Sequence, residues 1–233
     1  MTIQYTLPVD RYVEQTLDNF VEGRNSELIK HLSGLGDIFK GFWIYGQKSS
    51  GRSHLLRAKC NTDSKALLRD VHYVGCKELP LSGRDRFSAL KTAVKFGRTI
   101  AIDDIGLGIG DREFELHLFE IYQRLNEENG TLLISHHTSA LMLNFAIADL
   151  GSRVRALMNF ELKELNDSHK SVFLIQRAKA RGFRLPQIVI KYWLSHGPRD
   201  MEMLVNDFET LAEVMLRRKH VLTIPLFKEV LGY

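Results

Sequence analysis

The stretch FWIYGQKSSGRSHLL, residues 42–56, constrains the fold more than any other part of the chain. Residues 42–46 are aromatic and β-branched and end in glycine, the profile of a buried strand that feeds a turn. The turn holds Gly46 and Gly51, and RSHLLRAKC after it reads as a helix. Strand, glycine-rich loop and helix in that order suit a phosphate: the glycines let backbone N–H groups wrap an anion, and the helix adds the positive end of its dipole. In the full GxxxxGK[ST] pattern the lysine reaches the outer phosphates and the Ser or Thr holds magnesium. Gly46, Gly51 and Ser53 match, whereas Arg52 stands in the lysine position. A guanidinium keeps the charge but is planar, bulkier and forked, where an ammonium is compact. The expectation is a site that still takes an adenine nucleotide, favours the diphosphate and turns over slowly. The competing reading is a strand-to-helix turn that merely contains glycine and serine.

A second motif weighs on that choice. RTIAIDD, residues 98–104, is an apolar strand ending in Asp103 and Asp104. A carboxylate there holds magnesium through water, and its neighbour orients an attacking water. Two aspartates at a strand end, taken alone, also suit a helix cap or a turn. Together the motifs favour a nucleotide site built from Gly46, Ser50, Gly51, Arg52, Ser53, His54 and Asp103. Ser53 and Asp103 would hold the magnesium, and Asp104 would act on water.

The rest of the chain supplies a frame for such a site. VHYVGC (71–76), TLLISHH (131–137) and NFELKEL (159–165) read as further strands, and Phe114, Leu118, Ile121, Tyr122 and Leu125 keep helical spacing. RNSELIKHL (24–32) starts another helix, with Asn25 or Ser26 as its cap. This alternation predicts an α/β core with a parallel sheet flanked by helices. After residue 165 the strands stop, and helices broken at Gly182–Pro186 and Gly197–Pro198 follow. There Met201, Leu204, Phe208, Leu211 and Met215 share one face, so a small all-helical domain is expected. The expected division is an extended tail at 1–10, the α/β core at 11–165 and the helical part at 166–233.

Composition excludes several classes. A chain of 233 residues, 44% hydrophobic, can bury a sizeable core. Its net charge of +4 permits an acidic partner without requiring nucleic acid. Cys60 and Cys76 are too few for a disulfide framework and lack metal-site spacing, which suits a reducing cytoplasm. No basic segment leads into an apolar stretch at the N-terminus, and no apolar run nears the ~20 residues of a membrane span. A cytoplasmic protein with no membrane partner is expected.

At this point the chain resembles the Hda-like family, bacterial regulators related to the AAA+ domain of the replication initiator DnaA. The likeness runs over nearly the whole chain and rests on GRSHLL, QYTLP, LDNFVEGRNSEL, the GSR before a strand, RDMEML and LTIPLFKEVL. It implies an AAA+ P-loop core with a helical lid, bound ADP or ATP with magnesium, and docking on the sliding clamp of DNA polymerase. It also implies stimulation of ATP hydrolysis by DnaA, and so negative regulation of chromosomal replication initiation. Further implications are a bacterial cytoplasmic location, association with the nucleoid through the clamp, and homo-oligomers among the partners.

Residue by residue, LDNFVEGRNSEL (17–28) resembles the wall of the adenine pocket, which maps base contact onto Phe20 and Val21. RDMEML resembles the second sensor, which maps onto Arg199. DLGSRVR (149–155) resembles the box that supplies an arginine finger in trans, which maps onto Arg153; the competing reading is that Arg153 and Arg155 both only solvate the surface. QYTLP resembles clamp-binding peptides through Gln4, Tyr5, Leu7 and Pro8, with Tyr5 where leucine is common. LLISHH occupies the first-sensor region, and Ser135, His136 and His137 receive no mechanism; neighbouring histidines in a strand are expected on opposite faces. Two other classes stay open. A self-sufficient ATPase is supported by Asp103 and Asp104 and opposed by Arg52. A DNA-binding initiator or loader is opposed by the chain ending at Tyr233, which leaves no room for a helix-turn-helix domain.

Overall fold

A computed structural model describes residues 15–33, 38–67, 70–80, 86–218 and 221–233, so Gln4, Tyr5, Leu7 and Pro8 lie outside the described residues. Thr16–Leu165 forms one compact unit, and Asn166–Tyr233 belongs to another. The larger unit is built on five parallel strands: β1 (Lys40–Tyr45), β2 (Val71–Gly75), β3 (Thr99–Asp103), β4 (Thr131–His136) and β5 (Met158–Glu161). They lie side by side in the order β2, β3, β4, β1, β5.

Side chains alternate across a strand, so each central strand feeds two cores. Trp43, Ile100, Ile102, Leu132 and Ile134 face one layer with α3 (Ser88–Lys95), α4 (Arg112–Glu127) and α5 (Ala148–Arg155). Phe42, Ile44, Ala101 and Leu133 face the other, with α1 (Ser26–Ser33) and α2 (Arg52–Leu67). The strands are therefore apolar on both faces, the pattern of a sheet covered by helices. Cys60 and Cys76 are buried and free, and burial pushes both thiols up to about 12, so they stay protonated.

The last strand is shorter than the periodicity suggests. β5 is an edge strand paired only with β1; it ends at Glu161, Leu162 N–H still donates to Tyr45 O at 2.6 Å, and the chain then turns to α1. Lys163 N–H donates to Asn25 Oδ1 at 2.7 Å, and Asn25 Nδ2 donates to Lys163 O at 3.0 Å. The Asn25 side chain, expected to cap α1, is spent on this bridge.

A buried carboxylate organises the turn into α5. Glu115 on α4 is fully buried and accepts hydrogen bonds from the N–H groups of Gly110, Ala146 and Ile147, at 2.8, 3.0 and 2.7 Å. It ties the loop after β3 to the segment that enters α5.

The smaller unit holds α6 (Asp167–Ala180), α7 (Gln187–His196), α8 (Met201–Arg218) and α9 (Ile224–Leu231). Leu204, Phe208, Leu211 and Met215 on α8 are buried, as the spacing predicts. Arg177 and Arg181 on α6 grip Glu209 on α8, with Arg177 Nη2 at 2.7 Å from Oε1. Among the described residues no helix is long and apolar enough to cross a membrane.

Replacing Glu115 by Ala takes the buried acceptor away from three partly buried N–H donors and is expected to cost about 2 kcal/mol. The measurement is the urea unfolding midpoint of the variant against the wild type; an unchanged midpoint would show that the carboxylate contributes nothing.

Candidate functional site

Parallel register assembles the site. Tyr45 of β1 stands opposite His136 of β4, and Ile102 of β3 opposite Ile134 of β4, so β1, β4 and β3 end side by side. The loop after β1, the Ser135–His136 pair and the Asp103–Asp104 pair therefore share one edge of the sheet, where open α/β sheets bind ligands.

The loop is tightly wound. Gly46 N–H donates to His136 O at 3.3 Å, and a Cβ on Gly46 would lie 2.8 Å from Leu162 O and 2.9 Å from Ser50 Oγ. Only glycine fits there. The chain then turns through positive φ at Ser49 (64°) and Gly51 (98°) into α2. Buried Ser49 Oγ, Ser50 Oγ and Arg52 Nη1 have no hydrogen-bond partner among the described residues. Buried polar atoms are rarely left unpaired, and these atoms at a helix N-terminus suit an anion that accepts from them. Ser53 is exposed in the first turn of α2. Phe20 Cε2 would lie 3.8 Å from a Cβ on Gly51, and its ring meets His54 edge to face at 5.3 Å. The segment with Phe20 and half-buried Val21 thus lies against the loop.

The acidic pair is engaged by the chain's own donors. Asp103 is 6% exposed. Its Oδ1 accepts from Ser135 Oγ, and its Oδ2 accepts from the Tyr73 hydroxyl at 2.6 Å. Tyr73 on β2 stands opposite Ala101, two residues before Asp103 on the same face. Arg57 lies over the Tyr73 ring at 4.5 Å, while burial and then the Asp103 bond push the phenol up, which keeps it a donor. Asp104 is left-handed at φ 56° and turns the chain sharply at the strand end. Ser135 Oγ accepts its N–H at 2.9 Å, so one hydroxyl fixes both aspartates. Lys77 Nζ pairs with Asp104 Oδ2 at 2.6 Å. Burial pushes the Asp104 carboxyl up, but the Lys77 bond and charge, helped by Arg52 and His136, override it and hold it below the ordinary range.

Both oxygens of Asp103 thus already accept a hydroxyl, unlike the open carboxylate expected of a magnesium site, while Ser53 stays exposed. The two histidines also depart from expectation. β4 ends at His136, so alternation does not carry through to His137, and the rings lie 4.0 Å apart. Buried His136 is pushed down by burial and then by His137, and its Nδ1 accepts the Thr138 N–H at 3.0 Å. Among the described residues no group of three or more His, Cys, Asp or Glu side chains is placed to hold a metal.

The arginines of α5 take different roles. Arg153 has a side chain 39% exposed; its Nε donates to Asp149 Oδ2 at 3.2 Å, and its guanidinium faces Phe119 and Tyr122 of α4 at 5.4 and 5.5 Å. The Asp149 hydrogen bond raises its already high pKa, so the charge is permanent. Arg155, which the competing reading has solvating the surface, instead donates to Leu143 O at 2.8 Å and holds the segment before α5. Arg199 is exposed just before α8, and its carbonyl accepts from Lys170 Nζ.

Ser135, Tyr73 and Lys77 were not singled out for these contacts by sequence reasoning. A serine inside the apolar run LLIS is a signal for the first. Nothing local marks the other two, because their partners are 30 and 27 residues away.

A profile of the Hda lid domain matches residues 167–231. An uncharacterized protein of Haemophilus influenzae is 32% identical over the full length of both chains. Domain III of the Thermotoga maritima replication initiation protein DnaA superposes with a TM-score of 0.78 at 16% identity, covering 95% of this chain and 97% of the other. AMPPCP-bound DnaA from Aquifex aeolicus superposes with a TM-score of 0.70 at 19% identity, covering 90% and 69%.

Changing Lys77 to Met removes the attraction and leaves the desolvation, so the Asp104 carboxyl should titrate at higher pH than in the wild type. In the wild type its depressed value adds stability that is complete above the ordinary carboxylate pKa, ~3.9. That stability is lost as pH falls through the lower folded value. Carbon-13 NMR titration of the Asp carboxyls reads the shift; a smaller or absent upward movement would deny Lys77 the leading role.

Proposed function

The chain belongs to the Hda family of DnaA-related AAA+ proteins, and on that footing we propose that it is a negative regulator of replication initiation that completes the active site of DnaA. The observation that carries this reading is Arg153. It is permanently charged, part exposed and braced by Asp149 and two aromatic rings at the surface of the core. A guanidinium so presented suits insertion beside a nucleoside triphosphate held by another protein, where it offsets charge developing on the transferred phosphoryl group. DnaA is the proposed partner because its structures superpose on this chain and one of them is AMPPCP-bound.

The chain's own pocket has a different task in this proposal: it binds an adenine nucleotide, with ADP as the resting ligand. Unpaired donors on Ser49, Ser50 and Arg52 support a bound phosphate, and the position of Phe20 over Gly51 supports a base or ribose nearby. Arg52 in the lysine position and the Lys77 pairing of Asp104 count against brisk hydrolysis there, and so against a self-sufficient ATPase. Asp104 keeps the water-orienting role only when Lys77 lets go. Arg199 is proposed as the lid's sensor of the phosphates. Residues 1–10, through Gln4, Tyr5, Leu7 and Pro8, are proposed to tether the protein to the sliding clamp, which would bring it to DNA indirectly in the bacterial cytoplasm.

The test is ATP hydrolysis by DnaA with and without DNA-loaded clamp. Wild-type protein should accelerate it only with the clamp, and Arg153→Ala should return it to the unstimulated rate, since fingers supply about 10³–10⁵ in rate. The variant should bind ADP and unfold as the wild type does. Undiminished stimulation by Arg153→Ala would defeat the proposal.

A further inference from the structure

Asp103 occupies the position from which a magnesium-bound water would be held, yet the chain has already supplied that carboxylate with donors. Tyr73 gives its hydroxyl to Oδ2 and Ser135 its hydroxyl to Oδ1. The residue is 6% exposed, so little of it is open to solvent. Waters on a magnesium ion are hydrogen-bond donors, and they would compete for the same oxygens with two hydroxyls that are already in place and desolvated. The Tyr73 hydroxyl is fixed by more than the bond it makes. Its ring packs with the core layer beneath α2, and Arg57 lies across it at 4.5 Å. Ser53, exposed in the first turn of α2, would then be left as the one motif side chain open to the ion. The charge that a metal would bring to the phosphates has another source in Arg52, whose buried Nη1 lacks a partner and whose charge acts on Asp104.

We infer that this pocket binds its nucleoside diphosphate without magnesium, because Tyr73 closes Asp103 to the hydrated ion and Arg52 supplies the positive charge instead. The inference rests on the nucleotide reading above and adds the form of the ligand: free ADP rather than its magnesium complex. It assigns Tyr73 as the residue that sets this preference.

Titration calorimetry with ADP, in excess magnesium and again in EDTA, tests it directly. For the wild type the two Kd values should agree within about twofold. Tyr73→Phe keeps the ring and removes the hydroxyl, so its Kd should become at least about fivefold tighter with magnesium than in EDTA, the loss of one buried donor being equivalent to ~1 kcal/mol. Ser135→Ala frees Oδ1 and should move in the same direction. Manganese binding in the presence of ADP, followed by water proton relaxation, should be weak in the wild type and strengthened in Tyr73→Phe, a change that simple loss of stability would not produce. A wild-type Kd that weakens tenfold or more in EDTA, or variants with no metal dependence, would overturn the inference while leaving nucleotide binding intact. No ADP binding in either medium would overturn the nucleotide reading itself.

Discussion

The Ser135 hydroxyl is the contact on which the site depends. It donates to Asp103 and accepts the backbone N–H of Asp104, so a single buried oxygen sets one carboxylate and the left-handed turn that carries the other. It can do so because the parallel strands β3 and β4 are in register up to Ile102 and Ile134, which leaves their next residues adjacent. The register of β1 with β4 brings His136 to the start of the loop after β1, where its carbonyl accepts the Gly46 N–H. Loop and acidic pair are thus positioned by backbone pairing, with little left to side-chain chance.

Two cationic groups divide the proposed work. Arg52 is drawn into the chain's own loop, half-buried, with an unpaired nitrogen and with Asp104 and His136 in its field. Arg153 is turned outward and braced by an acid and two aromatic faces. An arginine at the surface ordinarily spends entropy whenever it is ordered; Phe119, Tyr122 and Asp149 reduce that cost before any partner arrives. Glu115 contributes from beneath, since the N–H groups it accepts from belong to the segment entering the helix that bears Arg153.

Much of the fold is legible in the chain. Five apolar runs become five strands, and the 3.6-residue spacing of Phe114, Leu118, Ile121 and Leu125 becomes the buried face of α4. These readings succeed because local periodicity is itself the cause: an alternating or helical apolar stripe has one way to leave water. Others fail where a distant group outbids a local one. Asn25 has the chemistry of a cap but bonds to Lys163, 138 residues away. Arg155 has the look of a solvated charge but is claimed by a carbonyl exposed at Leu143. The histidine pair defies alternation because the strand ends between the two residues.

What the amino-acid order determined by itself is the succession of elements and the chemistry available at each end: glycines where the loop must approach Leu162, acids after β3, an arginine where lysine is usual. Those properties follow from φ/ψ freedom, side-chain size and charge, which each residue carries wherever it sits. Tertiary structure alone decided what these groups meet: Tyr73 on Asp103, Lys77 on Asp104, Ser135 between them, and Arg153 on a bracket of Asp149 and aromatic rings. The physical reason is that most of these encounters join residues about 30 apart, brought together by strand order and register. No local pattern encodes such a pairing, because it costs nothing and contributes nothing until the whole sheet has formed.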